Sequence, residues 1–335
     1  MFQTTQLPRL LSRLLLERLA GLPLDRQALI LIFLLGLPLL YLILRAILEP
    51  TILQVSQIEQ HDFKPEKRSG KDRADLPNQV SAGEDRSCSP VASAAAATVT
   101  KTPALRVLLF SDIHAEHLRL SDSRILDAIV LARPDLLLFA GDLAAKVQAL
   151  PRALSLMRQI RQHPALAQLP FYAVPGNHDT AAARRQLNKM GIPVLVNETR
   201  ILEWHGQSWM ILGLDDLRHG SPDYEKVFTR AEASEIPSGR RIVLAHNPDC
   251  LLEFSPSRAR WFMGGHFHGG QIWAPFQLEF RLLRSEKLPR SGFYKGARQR
   301  GGMNAYISRG LGCVALPLRL FSKPELTLFH VHEQN

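Results

Sequence analysis

Aromatic residues make up only 7% of the 335-residue chain, and cysteine occurs three times, at Cys88, Cys250 and Cys313. An odd, sparse set of thiols at wide spacing makes no disulfide framework, so all three are expected as structural thiols that leave the redox compartment open. Internal repeats are lacking. So is any basic stretch interleaved with aromatics of the kind that grips RNA or DNA, which makes nucleic acid the least expected partner despite a net charge of +10. What the chain does have is 46% hydrophobic residues, enough for a substantial core, and a length that suits one large domain with extensions or two domains. Its positive charge is concentrated late, with ten Lys and Arg between Arg281 and Lys323. Such a region suits anionic lipid or a phosphorylated substrate, although a plain solvated face has the same composition.

The longest apolar run is 28–44, ALILIFLLGLPLLYLIL, seventeen residues without a charge. That is the lower limit for spanning a hydrocarbon core of ~30 Å, and Gly36 and Pro38 are tolerated in such a helix. A buried soluble helix would keep an amphipathic face, and a cleavable signal would carry a shorter leader and a small-residue site after the run. An uncleaved transmembrane anchor is therefore expected over 28–44. Ahead of it, Leu7, Leu10, Leu11, Leu14, Leu15, Leu19 and Leu22 recur at helical spacing with Arg9, Arg13 and Arg18 between them. Residues 1–27 thus form a basic amphipathic segment able to lie along a membrane interface, although an ordinary soluble helix has the same pattern. Arg9, Arg13, Arg18 and Arg26 precede the run and Arg45 alone follows it closely. The positive-inside rule then puts the N-terminus in the cytoplasm and the bulk of the chain outside a bacterial-type cytoplasmic membrane; the cluster Lys64–Arg73 weakens that asymmetry. Residues 45–103 are expected as a flexible linker, most clearly from His61 to Pro103, where charge, Ser/Ala and proline replace any apolar period.

Residues 104–335 read as the folded domain. Arg106–Ser111 is a buried strand by length and composition, delivering Asp112 and His114 two apart so that they project to one side. Asp122–Ala132 has helical spacing and is stopped by Arg133-Pro134. A second buried strand, Asp135–Ala140, leads into Gly141-Asp142, at the carboxyl end where open α/β sheets place ligands. Leu150–Arg161 is helical, and the strand Pro170–Val174 then ends in Pro175-Gly176-Asn177-His178-Asp179. A hairpin is expected from Thr199–Trp204 and Gln207–Leu212 about His205-Gly206. The strand Arg241–Ala245 ends in His246, and Arg260–Met263 runs into Gly264-Gly265-His266-Phe267-His268-Gly269-Gly270-Gln271, whose glycines allow the backbone to close on an ion or a phosphate. Asn304–Ser308 and Glu325–Val331 close the sheets. The alternation of strands and helices, each strand ending in a polar residue, predicts an α/β fold.

Residues 105–331 resemble the calcineurin-like metallophosphoesterases, whose motif order is D-x-H, G-D, G-N-H-(D/E), H and G-H-x-H. All five blocks occur here in order, at Asp112/His114, Gly141-Asp142, Gly176-Asn177-His178-Asp179, His246 and Gly265-His266-Phe267-His268. G-H-F-H-G-G-Q and the later Ser308-Arg309-Gly310-Leu311-Gly312 look like the membrane-associated branch, which includes bacterial enzymes similar to the UDP-2,3-diacylglucosamine pyrophosphatases of lipid A biosynthesis. The resemblance implies a four-layer α/β/β/α sandwich with two divalent metal ions at the sheet edge. Asp112, His114 and His268 would hold one ion, Asn177, His246 and His266 the other, and Asp142 would bridge them. His178 would be the catalytic residue that contacts substrate, with Gly176, Asp179 and Gly269 in support, Asp179 orienting His178 from behind. Phe267 stands where Thr is frequent and Ala115 where Gly is common, which puts substrate shape in doubt more than chemistry.

Two divalent ions against the charges of Asp112 and Asp142 leave a positive site, which attracts phosphate and lowers the pKa of a bridging water. Mixed imidazole and oxygen donors suit manganese, iron or zinc alike. The expected step is in-line attack of metal-bound hydroxide on phosphorus, with His178 protonating the departing oxygen. The substrate is expected to be a lipid-linked phosphodiester or pyrophosphate, similar to UDP-2,3-diacylglucosamine. An anchored phosphatase or phosphodiesterase of a soluble substrate is the rival reading, and a catalytically silent, metal-stabilised binding module a third. Oligomeric state is left open. His117, His163, His205 and His219 lack a partner at ligand spacing and are expected at the surface or behind the site, whereas His330 and His332 share a face at a strand end and are expected to be solvated rather than metal-bound.

Overall fold

The computed structural model describes residues 32–65, 103–272, 279–280 and 284–333, together with positions 23, 25 and 26. The amphipathic segment expected over 1–27 lies outside the described residues except at those three positions, and so does linker stretch 66–102.

Two sheets stack face to face. The first runs β1 (Gln54–Ile58), β11 (Glu325–Val331), β2 (Leu105–Phe110), β3 (Leu136–Phe139), β4 (Phe171–Ala173). The second runs β5 (Glu198–Trp204), β6 (Gln207–Gly213), β7 (Arg241–Leu244), β8 (Trp261–Gly264), β10 (Met303–Ile307), β9 (Gly296–Arg300). Strand alternation explains why both faces of the first sheet are buried. Leu105, Val107 and Leu109 of β2 turn inward against Trp209, Ile211, Leu244 and Trp261 of the second sheet. Leu108 and Phe110 turn outward beneath helices α2 (Asp122–Ala132), α3 (Leu150–Gln162) and α4 (Ala181–Lys189). The outer face of the second sheet is covered by α5 (Tyr224–Glu232) through Val227, Phe228 and Ala231. The order of layers is α/β/β/α, as the resemblance implies. Fully burying a side chain such as Phe110 or Phe139 contributes ~1.5–3 kcal/mol before entropy is counted.

Local signals account for the helix ends. Ser121 caps α2 by accepting from the Arg124 amide at 3.3 Å, and Arg133 closes it at φ 47° before Pro134. His205 (φ 45°) and Gly206 (φ 75°) make the expected turn of the β5–β6 hairpin.

Two boundaries depart from expectation. The apolar helix does not stop at Leu44: a π-helical turn, Ile32–Gly36, feeds α1 (Leu37–Leu48), and a 3-10 turn carries it to Thr51. The charge at Arg45 had suggested an end, but Arg45 Nε pairs with Glu49 one turn on at 2.9 Å, so the helix continues through both. Among the described residues, Phe33–Thr51 is the one helix long and apolar enough to cross a membrane, at 19 residues with a mean hydropathy of 1.7 and 11% of the stretch buried. The linker also begins later than expected. Gln54–Ile58 is no tether but an edge strand, paired in parallel with Glu325–Phe329. Its QVSQI sequence shows little apolar pattern because its pairing is backbone to backbone and only one face is half-buried.

Candidate active site

The parallel strands of both sheets deliver their carboxyl ends to one edge of the sandwich, and each chemistry-bearing residue follows one of them. Asp112 and His114 follow β2, Asp142 follows β3, Asn177 and His178 follow β4, His246 follows β7, and His266 and His268 follow β8. Asp112 (φ 52°), His114 (φ 37°), Asp142 (φ 66°), His266 (φ 70°) and His268 (φ 51°) all adopt left-handed backbone. Such conformations cost a non-glycine residue roughly 1–3 kcal/mol each and persist where surrounding structure imposes them, typically at functional sites.

Two donor groups result, Asp112/His114/His268 and Asp142/His246/His266, with the donor atoms in each within 4.8 Å of one another. Asp142 Oδ2 lies 3.4 Å from His114 Nε2 of the first group and 3.3 Å from His246 Nε2 of the second, so one oxygen stands between both. Asn177 Oδ1 joins the second group, 3.1 Å from His246 Nε2, as does His266 Nδ1 at the same distance. All seven residues named as ligands from the sequence are therefore brought together.

The donor set fits divalent ions on a further observation. Each imidazole has its second nitrogen occupied by an oxygen: His114 Nδ1 by Glu116 (3.3 Å), His246 Nδ1 by the Ala140 carbonyl (2.7 Å), His266 Nε2 by Glu286 (3.0 Å) and His268 Nδ1 by the Gly312 carbonyl (3.3 Å). The remaining nitrogens face inward, and His114 Nε2 is buried without a hydrogen-bond partner. This is how proteins orient histidines toward a metal. Burial favours the neutral forms of His114 and His246, yet Asp142, with Glu116 beside His114 and Asp112 near both, outweighs it and raises them to about 9 and about 10. The pocket calls for positive charge, which bound divalent cations bring.

Asp179 corrects the sequence reading. Its carboxylate does not back His178; it accepts the amides of Gly176 (2.9 Å), Asp142 (2.8 Å) and Leu143 (2.9 Å). It staples the β4 turn to the β3 turn. Desolvation and the Asp142 carboxylate push its pKa up to about 6 against those three donors. Gly176 is required at the same crossing, because a Cβ there would run into Asp142 Oδ1. Gly269 (φ 60°) lets the chain turn behind His268, where a Cβ would meet Ser322 Oγ at 2.6 Å. Phe267 and Ala115 are buried in the helix-side cores, so the doubt they raised about substrate shape does not apply. Cys250 and Cys313 are buried free thiols, as expected.

The donors open into a cavity of about 530 Å³ lined also by His178, Arg218, Arg284, Ser285, Glu286, Arg290 and Val314. Partial desolvation lowers the His178 pKa; Asp142 opposes, and His114 and His246 reinforce it. Sequence reasoning missed Glu116, Glu286 and Arg218. Arg284 and Arg290 fall in the basic region it singled out, but nothing there separated them from their eight neighbours. His219, expected at the surface or behind the site, is exposed and meets the Asn177 carbonyl through Nδ1 at 2.7 Å.

Burial alone would raise the Glu286 carboxyl, but the hydrogen bond with His266 outweighs it and holds the group down at about 2. Glu286→Gln keeps the shape and removes the charge that fixes the His266 tautomer. Metal affinity at the second group should fall by about 10–100-fold, the usual cost of such a partner. Metal titration followed by activity checks this, and rescue by excess Mn²⁺ should be nearly complete.

With strand-end donors shared through one aspartate and a basic cavity in front, the class is a metal-dependent phosphoester hydrolase. The chain belongs to the calcineurin-like phosphoesterase family, whose profile matches residues 105–270, and that family uses divalent metals. It is 31% identical over 240 residues to the uncharacterized metallophosphoesterase YkuE of Bacillus subtilis, covering 69% of this chain and 80% of that protein. It is 27% identical to the phosphodiesterase YaeI of Escherichia coli over 242 residues, 68% of this chain and 82% of that one. A transmembrane protein with a metallophosphoesterase domain from Danio rerio is 28% identical over 67% of this chain and 52% of its own length.

Proposed function

We propose that the chain is a membrane-anchored two-metal phosphoesterase that hydrolyses a phosphodiester or pyrophosphate carried by a lipid. The observation that carries this reading is the cavity, in which two donor groups sharing Asp142 face Arg218, Arg284 and Arg290 across about 530 Å³. That volume admits a substituted phosphate or a sugar-phosphate headgroup. Two divalent ions, when bound, supply Lewis-acid activation of water and of phosphoryl oxygen. Arg284, held by its Nη1 on the His266 carbonyl at 3.2 Å, and Arg290 orient the non-reacting phosphate oxygens. Arg218, 57% exposed and 3.9 Å from Glu286, is free to close on a substrate at the cavity mouth. The His178 imidazole delivers a proton to the departing oxygen.

The anchor reading is supported by Phe33–Thr51 and by relatives described as transmembrane proteins. UDP-2,3-diacylglucosamine is one candidate substrate, because it joins a pyrophosphate to a lipid; none of the relatives cited above is described in terms of lipid A. A domain outside the membrane would never meet such a nucleotide, so a reporter fused after residue 103 that reads outside rules that candidate out. The direct test is hydrolysis of a phosphodiester, a phosphomonoester and UDP-diacylglucosamine by the full chain with Mn²⁺. Diester or pyrophosphate turnover should exceed monoester turnover by about tenfold or more, as about 1.4 kcal/mol of preferential binding gives. No turnover under manganese, iron or zinc would favour the binding module.

A further inference from the structure

Below the apolar helix the chain does not run free. Glu49 is 1% exposed, with its carboxylate bound by Arg45 Nε and by the amide of Ser322. The Ala46 carbonyl accepts the Arg319 amide at 3.0 Å, and the Arg45 guanidinium lies 4.0 Å over the ring of Phe321. β1 then adds five paired residues to the first sheet. The helix end is thus gripped by loop 309–323, and that same loop supports the first donor group. Ser322 Oγ donates to the His268 carbonyl at 2.7 Å. Arg319, fully buried, donates through Nη2 to the carbonyls of Arg309 and Gly310 and to that of Gly312, which also accepts from His268.

Beside this junction the surface is apolar where it has no core to cover. Leu316 is 55%, Phe321 40% and Ile272 37% exposed. They are held as one rim: Ile272 bridges to Leu320, and Gln271 Nε2 donates to the carbonyls of Val314 and Leu316. Val314, held by the same Gln271 side chain, lines the cavity, so the rim is joined to the cavity wall. Lys295 Nζ sits on the Phe321 carbonyl at 3.1 Å, and with Arg45 it gives the rim cationic flanks. Apolar tips flanked by Lys and Arg are what a bilayer interface with anionic headgroups accepts.

We propose that this rim is a membrane-contacting surface: Ile272, Leu316 and Phe321 dip into the headgroup layer of the bilayer in which Phe33–Thr51 is seated. A lipid then keeps its acyl chains in the bilayer while its phosphate passes over Val314 into the cavity. The occupant is a lipid surface because the rim is continuous with the helix end, which loop 309–323 holds through Ala46 and Glu49. The proposal rests on the anchored phosphoesterase reading and deepens it.

The test uses the full chain, loaded with Mn²⁺, in vesicles of phosphatidylcholine and phosphatidylglycerol. Leu316→Trp should gain fluorescence that brominated lipid quenches beyond the quenching of the parent chain; equal quenching in both overturns the rim. Leu316→Glu should leave hydrolysis of soluble bis(p-nitrophenyl) phosphate within about twofold, showing an intact fold, and lower hydrolysis of a nitrophenyl-ester phospholipid by about tenfold, the loss expected when one large apolar contact is removed. Equal effects on both substrates also overturn it. Should the parent chain hydrolyse neither substrate, the enzymatic reading fails, and the quenching arm still decides whether the rim meets the membrane.

Discussion

Asp142→Asn should abolish turnover, by about a thousandfold or more, and reduce bound metal from two ions to one or fewer per chain. The substitution is nearly isosteric, so the effect comes from charge and lone pairs. In the native site Asp142 Oδ2 stands between His114 Nε2 and His246 Nε2, within 3.4 Å of both. Burial resists ionisation there, but His246 and His114 hold the carboxyl well below the ordinary range, so it is a full anion. An amide would lose that anion and could present an N–H₂ to the inward nitrogens. A thousandfold loss is about 4 kcal/mol, modest for a group that two donor sets share. The other oxygen explains why the turn should survive: Oδ1 accepts the His178 amide at 2.9 Å, and an asparagine oxygen can take over that contact. Metal content by emission spectroscopy, read beside kcat/KM and a thermal melt without metal, separates the outcomes. Two ions retained with more than a tenth of the activity would show that Asp142 does not join the two groups.

The site was more legible in the sequence than its support. Asp112, His114, Asp142, His246, His266 and His268 stand out because a chemistry that holds metals needs those residue types, and short strands announce where they will emerge. Their partners come from elsewhere. Glu286 reaches His266 from 20 residues away, and Arg218 reaches the cavity from the connection between β6 and α5. No local pattern marks such residues, because tertiary folding alone brings them near. Asp179 shows a related limit. Its place beside His178 in the chain suggested a partnership, whereas the turn aims its carboxylate at three backbone amides.

For the fold the dividing line is apolar content. β2, β3 and β7 are buried on both sides and spell continuous hydrophobic runs, so they were found to within a residue or two. β1 and β9 are edge strands. QVSQI and GARQR are at most half-buried and lack the apolar run that marks a central strand, and the edge of β9 is met by the Lys64 carbonyl at the Gln299 amide. Helix α1 runs past the charge-free window because the Arg45–Glu49 pair lets the helix leave the apolar region. It is this charged extension, beyond Leu44, that meets loop 309–323.

His178→Ala should lower kcat by about 10²–10⁴, the range for a lost general acid, while both ions stay bound. His178 is exposed to the cavity, unlike His114, His246, His266 and His268, which are buried. Its ring packs edge-on against His114, with centroids 5.3 Å apart, and no donor atom of either metal group pairs with its nitrogens in the described contacts. Its backbone amide, which anchors the turn through Asp142, survives truncation. The loss should therefore fall on proton delivery, and the leaving group exposes it. A nitrophenolate departs without a proton, so nitrophenyl esters should lose least, whereas esters of simple alcohols should lose most. A uniform loss across leaving groups would recast His178 as a phosphate-binding residue, raising KM along with lowering kcat. Loss of one ion would make it a ligand. Restoration by added imidazole, greater for the alcohol esters than for the nitrophenyl esters, would place the missing proton at the departing oxygen.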